Sequence, residues 1–322
     1  MEEFERIYPA KPIYQEKTPK SSIAATFFSL ILFIWAFFTF ISDDFRFIGL
    51  IILVLIIHES GHFLAMKLFG YKNLKMMFIP LLGAYVHGIK DKYSQKQRVT
   101  VLLAGPIPGI LIGAILLYLG TQQDSFWLFY SGILFVLINV LNLMPIDPLD
   151  GGQLLQVLFI SRKDLVRLIF SLLSSLSMIV LGLIFDNWIL IGFGFLLGLR
   201  VQSHQKLYQM RKHFQSHQID YHKTYSDLTD KEFYEIKEVF MEHSPTIRKI
   251  VNSGAIDDVE LDELLASNIS QVLEPPSTND LTWPAKIAVV SLWMGGFAIT
   301  LFMFFYFKDQ LIYFLNEIQT WE

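Results

Sequence analysis

The residues best suited to chemistry lie at positions 58–62, which read His-Glu-Ser-Gly-His. Helical residues four apart share one face, so His58 and His62 can present two imidazole nitrogens to one zinc ion. Glu59 lies one position further round and can reach a water molecule on that zinc. The alternative is that both histidines only hydrogen-bond backbone carbonyls of neighbouring helices. Because ionisable side chains are costly inside an apolar helix, we favour the interpretation that these residues form a zinc site.

A third zinc ligand has to come from elsewhere, and it is a histidine or a carboxylate because the chain has no cysteine. Residues 142–152 read Asn-Leu-Met-Pro-Ile-Asp-Pro-Leu-Asp-Gly-Gly and close an apolar block with two carboxylates, Asp147 and Asp150. Pro145 and Pro148 interrupt helical hydrogen bonds, which at membrane depth is tolerated only beside a cavity or a site. The alternative is a helix stop at the cytoplasmic surface, with both carboxylates solvated.

The elements that position these residues are strongly apolar. Of the 322 residues, 53% are hydrophobic and 17% are charged, and the mean hydropathy is +0.43. About seven blocks are apolar enough to cross a hydrocarbon core of about 30 Å, although the sixth is short. These blocks are residues 23–41, 47–69, 99–119, 126–145, 165–185, 188–201 and 285–307. The sequence therefore predicts an all-α polytopic membrane protein.

Basic residues predict the orientation of the helices, because lysine and arginine are retained on the cytoplasmic side. They cluster in the N-terminal segment and in alternate loops. We therefore expect an integral protein of the cytoplasmic (inner) membrane with a cytoplasmic N-terminus. The predicted parts are a cytoplasmic segment (1–22), a six-helix membrane domain (23–201) with a catalytic core (47–152), a small cytoplasmic helical domain (202–283), and a last transmembrane helix with a short outer tail (284–322).

The overall charge points away from a nucleic-acid partner. The net charge is −4, whereas a nucleic-acid-binding domain carries a basic patch.

Four further histidines follow the sixth block: His204, His213, His217 and His222. Only His213 and His217 have ligand spacing, and no carboxylate is placed with them, so we interpret this region as a solvated helix.

The motifs together resemble the site-2 proteases, which are intramembrane zinc metalloproteases. The resemblance rests, in order, on residues 58–62, on Ala-Gly-Pro at 104–106, and on Asn142, Pro145 and Leu-Asp-Gly at 149–151. It covers about residues 47–152.

The resemblance implies roles for individual residues. His58, His62 and Asp150 would bind one zinc ion per chain, and Glu59 would act as the general base. Asn142 would be a polar group near the reacting carbonyl. Asp147 lies where the family varies, so we do not count it as a ligand.

Residues 74–88 are apolar but too short to span, and Pro80, Gly83 and Gly88 break them. The resemblance suggests a re-entrant β-like segment beside the zinc, whose edge holds an unwound substrate by strand addition. The alternative is a loop on the membrane surface. We expect His87 in this segment to form hydrogen bonds rather than to bind metal.

The predicted function is cleavage of a peptide bond within the single transmembrane helix of a membrane-protein substrate, in regulated intramembrane proteolysis. By resemblance, an upstream site-1-type protease makes a first cut. A metal-ion transporter and a non-catalytic scaffold are the alternatives. A transporter needs ion-binding groups along a path through several helices. In this sequence the intramembrane ionisable residues gather at a single level. A scaffold would usually have lost Glu59 or a ligand.

Overall fold

The computed structural model describes residues 8–14, 23–79, 83–90, 92–158, 163–253 and 257–319. The helices are α1 (Ile23–Phe40), α2 (Phe45–Leu68), α3 (Gln95–Ala104), α4 (Pro106–Gln122), α5 (Phe126–Asn142), α6 (Asp150–Leu158), α7 (Lys163–Ile184), α8 (Trp188–Ser216), α9 (Asp230–His243), α10 (Pro245–Ser253), α11 (Asp258–Val272), α12 (Trp283–Tyr306) and α13 (Lys308–Gln319). The strands are β1 (Lys72–Ile79), β2 (Gly83–Ile89), β3 (Tyr93–Ser94) and β4 (Ser277–Thr278).

The chain forms two compact units. The hairpin unit contains residues 19–90, 94–160 and 279–322, and it includes the β1–β2 hairpin. The α7–α11 unit contains residues 1–18, 91–93 and 161–278.

Among the described residues, four segments are long and apolar enough to cross a membrane, judged by length and composition. They are Phe45–Leu68, Gln95–Gln122, Asp164–Ile184 and Trp283–Tyr306. The apolar helices Ala24–Phe40 and Phe126–Asn142 are shorter. The predicted helical architecture is thus confirmed in outline, and the count of seven spans stays a prediction.

The third predicted span is broken near its start. α3 ends at Ala104, and α4 begins at Pro106, which is tolerated there because the first residue of a helix needs no N–H partner. At Gly105, a Cβ atom would lie only 2.4 Å from Nε2 of His62. The break therefore lets the chain pass directly against a histidine of the motif.

Glycines also set how closely α4 and α5 pack. A Cβ atom at Gly113 would lie 2.7 Å from the Val136 side chain, and one at Gly132 would lie 2.7 Å from the Leu117 backbone nitrogen. Glycines on both helices therefore form a helix-packing surface.

The segment predicted to be β-like forms the antiparallel hairpin of β1 and β2, in which Met76 pairs with Val86. β1 lies against α1, where the Thr26 hydroxyl donates to the Met76 carbonyl at 2.7 Å. The Phe78 backbone N–H donates to the Ser29 hydroxyl at 3.1 Å. Residues 80–82, including the predicted breaker Pro80, lie outside the described residues. The entry of this hairpin into the membrane stays a prediction.

The last long helix is anchored near the end of α5. The indole N–H of Trp293 in α12 donates to the Leu143 carbonyl at 2.7 Å, and this bond is buried. A Cβ atom at Gly296, one helical turn later, would lie 2.9 Å from the Leu143 side chain. α12 therefore packs against the segment that leads from α5 to α6.

In the α7–α11 unit, the polar region after residue 202 contains the helices α9, α10 and α11. α9 begins with a capping box, in which the Thr229 side chain accepts from the Glu232 N–H and Glu232 accepts from the Thr229 N–H. α8 runs through the predicted boundary at residue 201, because its apolar start continues without a break into polar sequence.

Candidate metal centre

Three side chains converge inside the hairpin unit. The Nε2 atoms of His58 and His62 lie 3.0 Å apart, and Oδ2 of Asp150 lies 3.2 Å and 3.1 Å from them, respectively. Both histidines are buried, and the Asp150 side chain is 12% exposed. Ligands at about 2.0 Å from a tetrahedral zinc lie roughly 3.3 Å apart, so two imidazoles and a carboxylate at these spacings fit one zinc ion.

The outer nitrogens of both imidazoles are held by carbonyl oxygens. Nδ1 of His58 lies 2.7 Å from Oδ1 of Asn139, and Nδ1 of His62 lies 2.7 Å from the Val101 carbonyl oxygen. A carbonyl oxygen can only accept, so both Nδ1 atoms carry the proton. The Nε2 lone pairs are therefore left free to bind a metal.

Asp150 reaches the two histidines because the chain turns tightly before α6. It is the first residue of α6, and glycines follow at positions 151 and 152. A Cβ atom at Gly151 would lie 1.9 Å from the Leu143 carbonyl oxygen, and one at Gly152 would lie 2.4 Å from that of Ile146. The two glycines thus let α6 start directly against the end of α5.

Glu59 is buried beside the three converging groups. The backbone of Val86 in β2 hydrogen-bonds its carboxylate. The hairpin therefore lies next to the residue expected to act as the base. His87, the next residue of β2, is exposed and is not in this group.

The structure separates the two other polar residues of the 142–152 segment from this group. The Asn142 amide donates to the Ile138 carbonyl of its own helix at 3.0 Å. Asp147 is buried and accepts from the Gln156 side chain at 3.3 Å. Asp147 is not among the described residues whose ligand atoms converge.

Asn139 is the functional residue that the sequence reasoning missed. It is fully buried, and its Nδ2 donates to the Phe135 carbonyl at 2.7 Å, which turns Oδ1 toward His58. A polar amide in the last turn of an apolar helix was the available signal, because such residues usually face a site or a partner.

Part of the chain matches a known peptidase family. The family model of peptidase family M50 matches residues 46–126, which contain the 58–62 motif and Gly105. The resemblance to the site-2 proteases is confirmed. Together with the four long apolar segments found among the described residues, the match to peptidase family M50 supports an integral membrane protein.

Individual relatives share parts of the chain. A zinc metalloprotease of Methanocaldococcus jannaschii is 28% identical over 152 residues, which are 44% of each chain. Stage IV sporulation protein FB of Bacillus subtilis is 33% identical over 116 residues, which are 34% of this chain and 38% of that protein. The match thus spans less than half the length of these relatives. A solved site-2 protease from Methanocaldococcus jannaschii aligns with a TM-score of 0.43 and 20% identity, over 61% of this chain and 95% of that one.

Proposed function

We propose that this protein is an intramembrane zinc metalloprotease of the site-2 type, which hydrolyses a peptide bond in the transmembrane helix of a membrane-protein substrate. The observation that carries the proposal is the convergence of His58, His62 and Asp150, with Glu59 buried beside them. The peptidase family match and the zinc metalloprotease relative support the same activity. Regulated proteolysis, with a first cut by an upstream site-1-type protease, is the proposed setting.

His58, His62 and Asp150 would hold one zinc ion per chain. When bound, zinc would lower the pKa of its water to about 7 and would polarise the scissile carbonyl. Glu59 takes the proton of the attacking water and returns it to the leaving amine. Its carboxylate and that of Asp150 would balance the two positive charges of a bound zinc ion in this buried site.

Two further parts of the chain have proposed roles. Asn142 donates to the developing oxyanion, for which its amide exchanges the Ile138 carbonyl for the substrate oxygen. The hairpin of β1 and β2 pairs with the unwound substrate, and the bond between Val86 and Glu59 supports this role because it places β2 beside the reacting groups.

The metal-transporter alternative is less well supported. Within the described part of the hairpin unit, the residues able to share a metal ion form a single group. A transport path needs several such groups in sequence across the membrane.

The proposed location is the inner membrane, with a cytoplasmic N-terminus. Positive-inside orientation places residues 202–283 in the cytoplasm and the C-terminal tail outside. Reporter fusions at residue 240 and after residue 319 test this arrangement. A cytoplasmic signal from the C-terminal fusion would remove one of the seven predicted crossings.

The activity is tested with a Glu59→Gln variant of the full chain and a candidate substrate in the same membrane. We expect the variant to keep its zinc and lose cleavage, because Gln keeps the shape of Glu but accepts no proton. Glu238→Gln, an exposed change in α9, is the matched control and should cleave normally. Cleavage retained by Glu59→Gln would refute the base assignment.

The third ligand has its own test. Asp150→Ala should lower zinc occupancy, whereas Asp147→Ala should leave it unchanged. The reverse pattern would move the third ligand to Asp147.

A further inference from the structure

A second group of metal-ligating side chains lies in the α7–α11 unit. The ligand atoms of His213, Glu242 and His243 all lie within 4.8 Å of one another. His213 belongs to α8, whereas Glu242 and His243 end α9. The sequence placed no carboxylate with His213, and the fold supplies one from about thirty residues further along the chain.

Helix packing explains why these residues meet. Met210 and Phe214 of α8 share a buried core with Val239 and Phe240 of α9. His213 comes directly before Phe214, so it lies at the margin of the buried face of α8. His243 follows Val239 by four residues and therefore continues the packed face of α9. Both histidines are half-buried, and Glu242 is exposed.

Hydrogen bonding prepares His243 as a ligand. Its Nδ1 lies 3.0 Å from the Val239 carbonyl oxygen, so Nδ1 carries the proton and the Nε2 lone pair is free. This is the arrangement seen for both histidines of the first metal centre, where a carbonyl oxygen holds each Nδ1.

Ring contacts hold His213 between two neighbours. Its ring stacks on that of His217, with centroids 4.3 Å apart and an angle of 17°. It meets the His243 ring edge-on, with centroids 5.7 Å apart. His217 is itself held by a 3.0 Å bond from Nδ1 to the His213 carbonyl oxygen. These ring contacts order the three imidazoles. The backbone hydrogen bonds of His217 and His243 use only the Nδ1 atom of each ring.

We propose that His213, Glu242 and His243 form a second metal site, which binds Zn²⁺ and joins the end of α8 to the end of α9. Two imidazoles and one carboxylate are a donor set that zinc accepts, with water in the fourth position. Because Glu242 is exposed, the metal exchanges with the solution. The site is separate from the proposed protease centre and does not depend on its activity.

The experiment is a zinc titration of the metal-stripped full-length protein in detergent micelles, with metal analysis of each variant. The wild type should bind about two zinc ions per chain, and His213→Ala/His243→Ala should bind about one. His58→Ala/His62→Ala should also bind about one, now held in the α7–α11 unit. His222→Ala is the control, because this exposed histidine of the same unit lies outside the group; it should match the wild type.

A conservative variant distinguishes the loss of a metal ligand from misfolding of the protein. Glu242→Gln keeps the side-chain shape at an exposed position and should weaken the second site about tenfold or more while leaving the first unchanged. With Co²⁺ as the probe, the tetrahedral absorption of His58→Ala/His62→Ala should disappear when Glu242→Gln is added. Hydrogen exchange at the end of α9 should slow when zinc is added.

The results separate this proposal from the protease assignment. A wild type that binds one zinc and loses it in His58→Ala/His62→Ala would overturn the second site alone. A His58→Ala/His62→Ala variant that loses no zinc would contradict the protease centre alone.

Discussion

Nδ1 of His58 lies 2.7 Å from Oδ1 of Asn139, across the interface of α2 and α5. The Asn139 amide is held in turn by the Phe135 carbonyl at 2.7 Å. α4 also contacts this amide, because a Cβ atom at Gly109 would lie 2.2 Å from it. The orientation of one proposed zinc ligand is thus set by two other helices.

Asn139→Ala should weaken zinc binding about 10- to 100-fold, because His58 loses the partner that fixes its ring and its tautomer. Asn142→Ala is the matched control on the same helix. It should keep normal zinc affinity and lower the cleavage rate, since its proposed partner is the oxyanion. Chelator competition measures the affinity, and substrate turnover measures the rate. Equal zinc affinities for the two variants would contradict the role of Asn139.

Gly105→Ala should disrupt the metal centre from the side of α3 and α4. The added Cβ would lie 2.4 Å from Nε2 of His62, which is the atom that faces Asp150. We expect zinc occupancy and cleavage to fall together. Gly49→Ala in α2 is the control, because a Cβ there has no neighbour within 4 Å. Metal analysis and cleavage assays check both variants, and full zinc occupancy in Gly105→Ala would disprove the predicted clash.

Thr229→Ala should destabilise α9 by about 1 kcal/mol, because it removes the capping hydroxyl. Thr229→Ser keeps the hydroxyl and is the control. Burial would raise the pKa of Glu232, but its bonds to Lys223 and to Thr229 lower it below the usual value. Because its pKa is lowered in the folded state, the Glu232 carboxylate stabilises the fold near neutral pH. This stabilisation is lost as the pH falls through the acid range.

The measurement is the thermal midpoint of both variants and the wild type at pH 7 and pH 4. The gap between Thr229→Ala and the wild type should shrink at pH 4, where the carboxylate partner of the capping box is increasingly protonated. A gap that widens on acidification would show that Glu232 does not take part in the cap.

Helix breakers in the substrate should speed cleavage. Helical carbonyls are already hydrogen-bonded, and unwinding in lipid leaves polar groups that cost several kcal/mol each. Gly, Asn or Pro near the cut site of a candidate substrate should therefore raise the cleavage rate, and Leu at the same positions should lower it.

A large folded domain on the outer side of the substrate should slow its entry, so a trimmed substrate should be cut faster. The comparison uses substrates that share one cut site. If an uninterrupted poly-Leu helix with an intact outer domain were cut as fast as a broken, trimmed helix, a site acting on soluble peptides would explain the data better.

Local spacing was enough to predict the first part of the metal centre. His58, Glu59 and His62 lie within five residues of one apolar helix, and the helical period alone places both imidazoles on one face. The long apolar blocks likewise predicted a helical membrane protein, since a helix satisfies its own backbone in lipid. Asp150 was reached through the family resemblance, because spacing left Asp147 equally eligible.

Only the tertiary structure decided which distant residues complete these sites. Asn139 and Val101 hold the proposed ligands from other helices, and Glu242 joins His213 from the next helix of its unit. The physical reason is that hydrogen bonds and metal ligation act over about 3 Å in space. Helical periodicity places residues on a face, but which faces meet depends on close packing at glycines and apolar side chains along the whole chain.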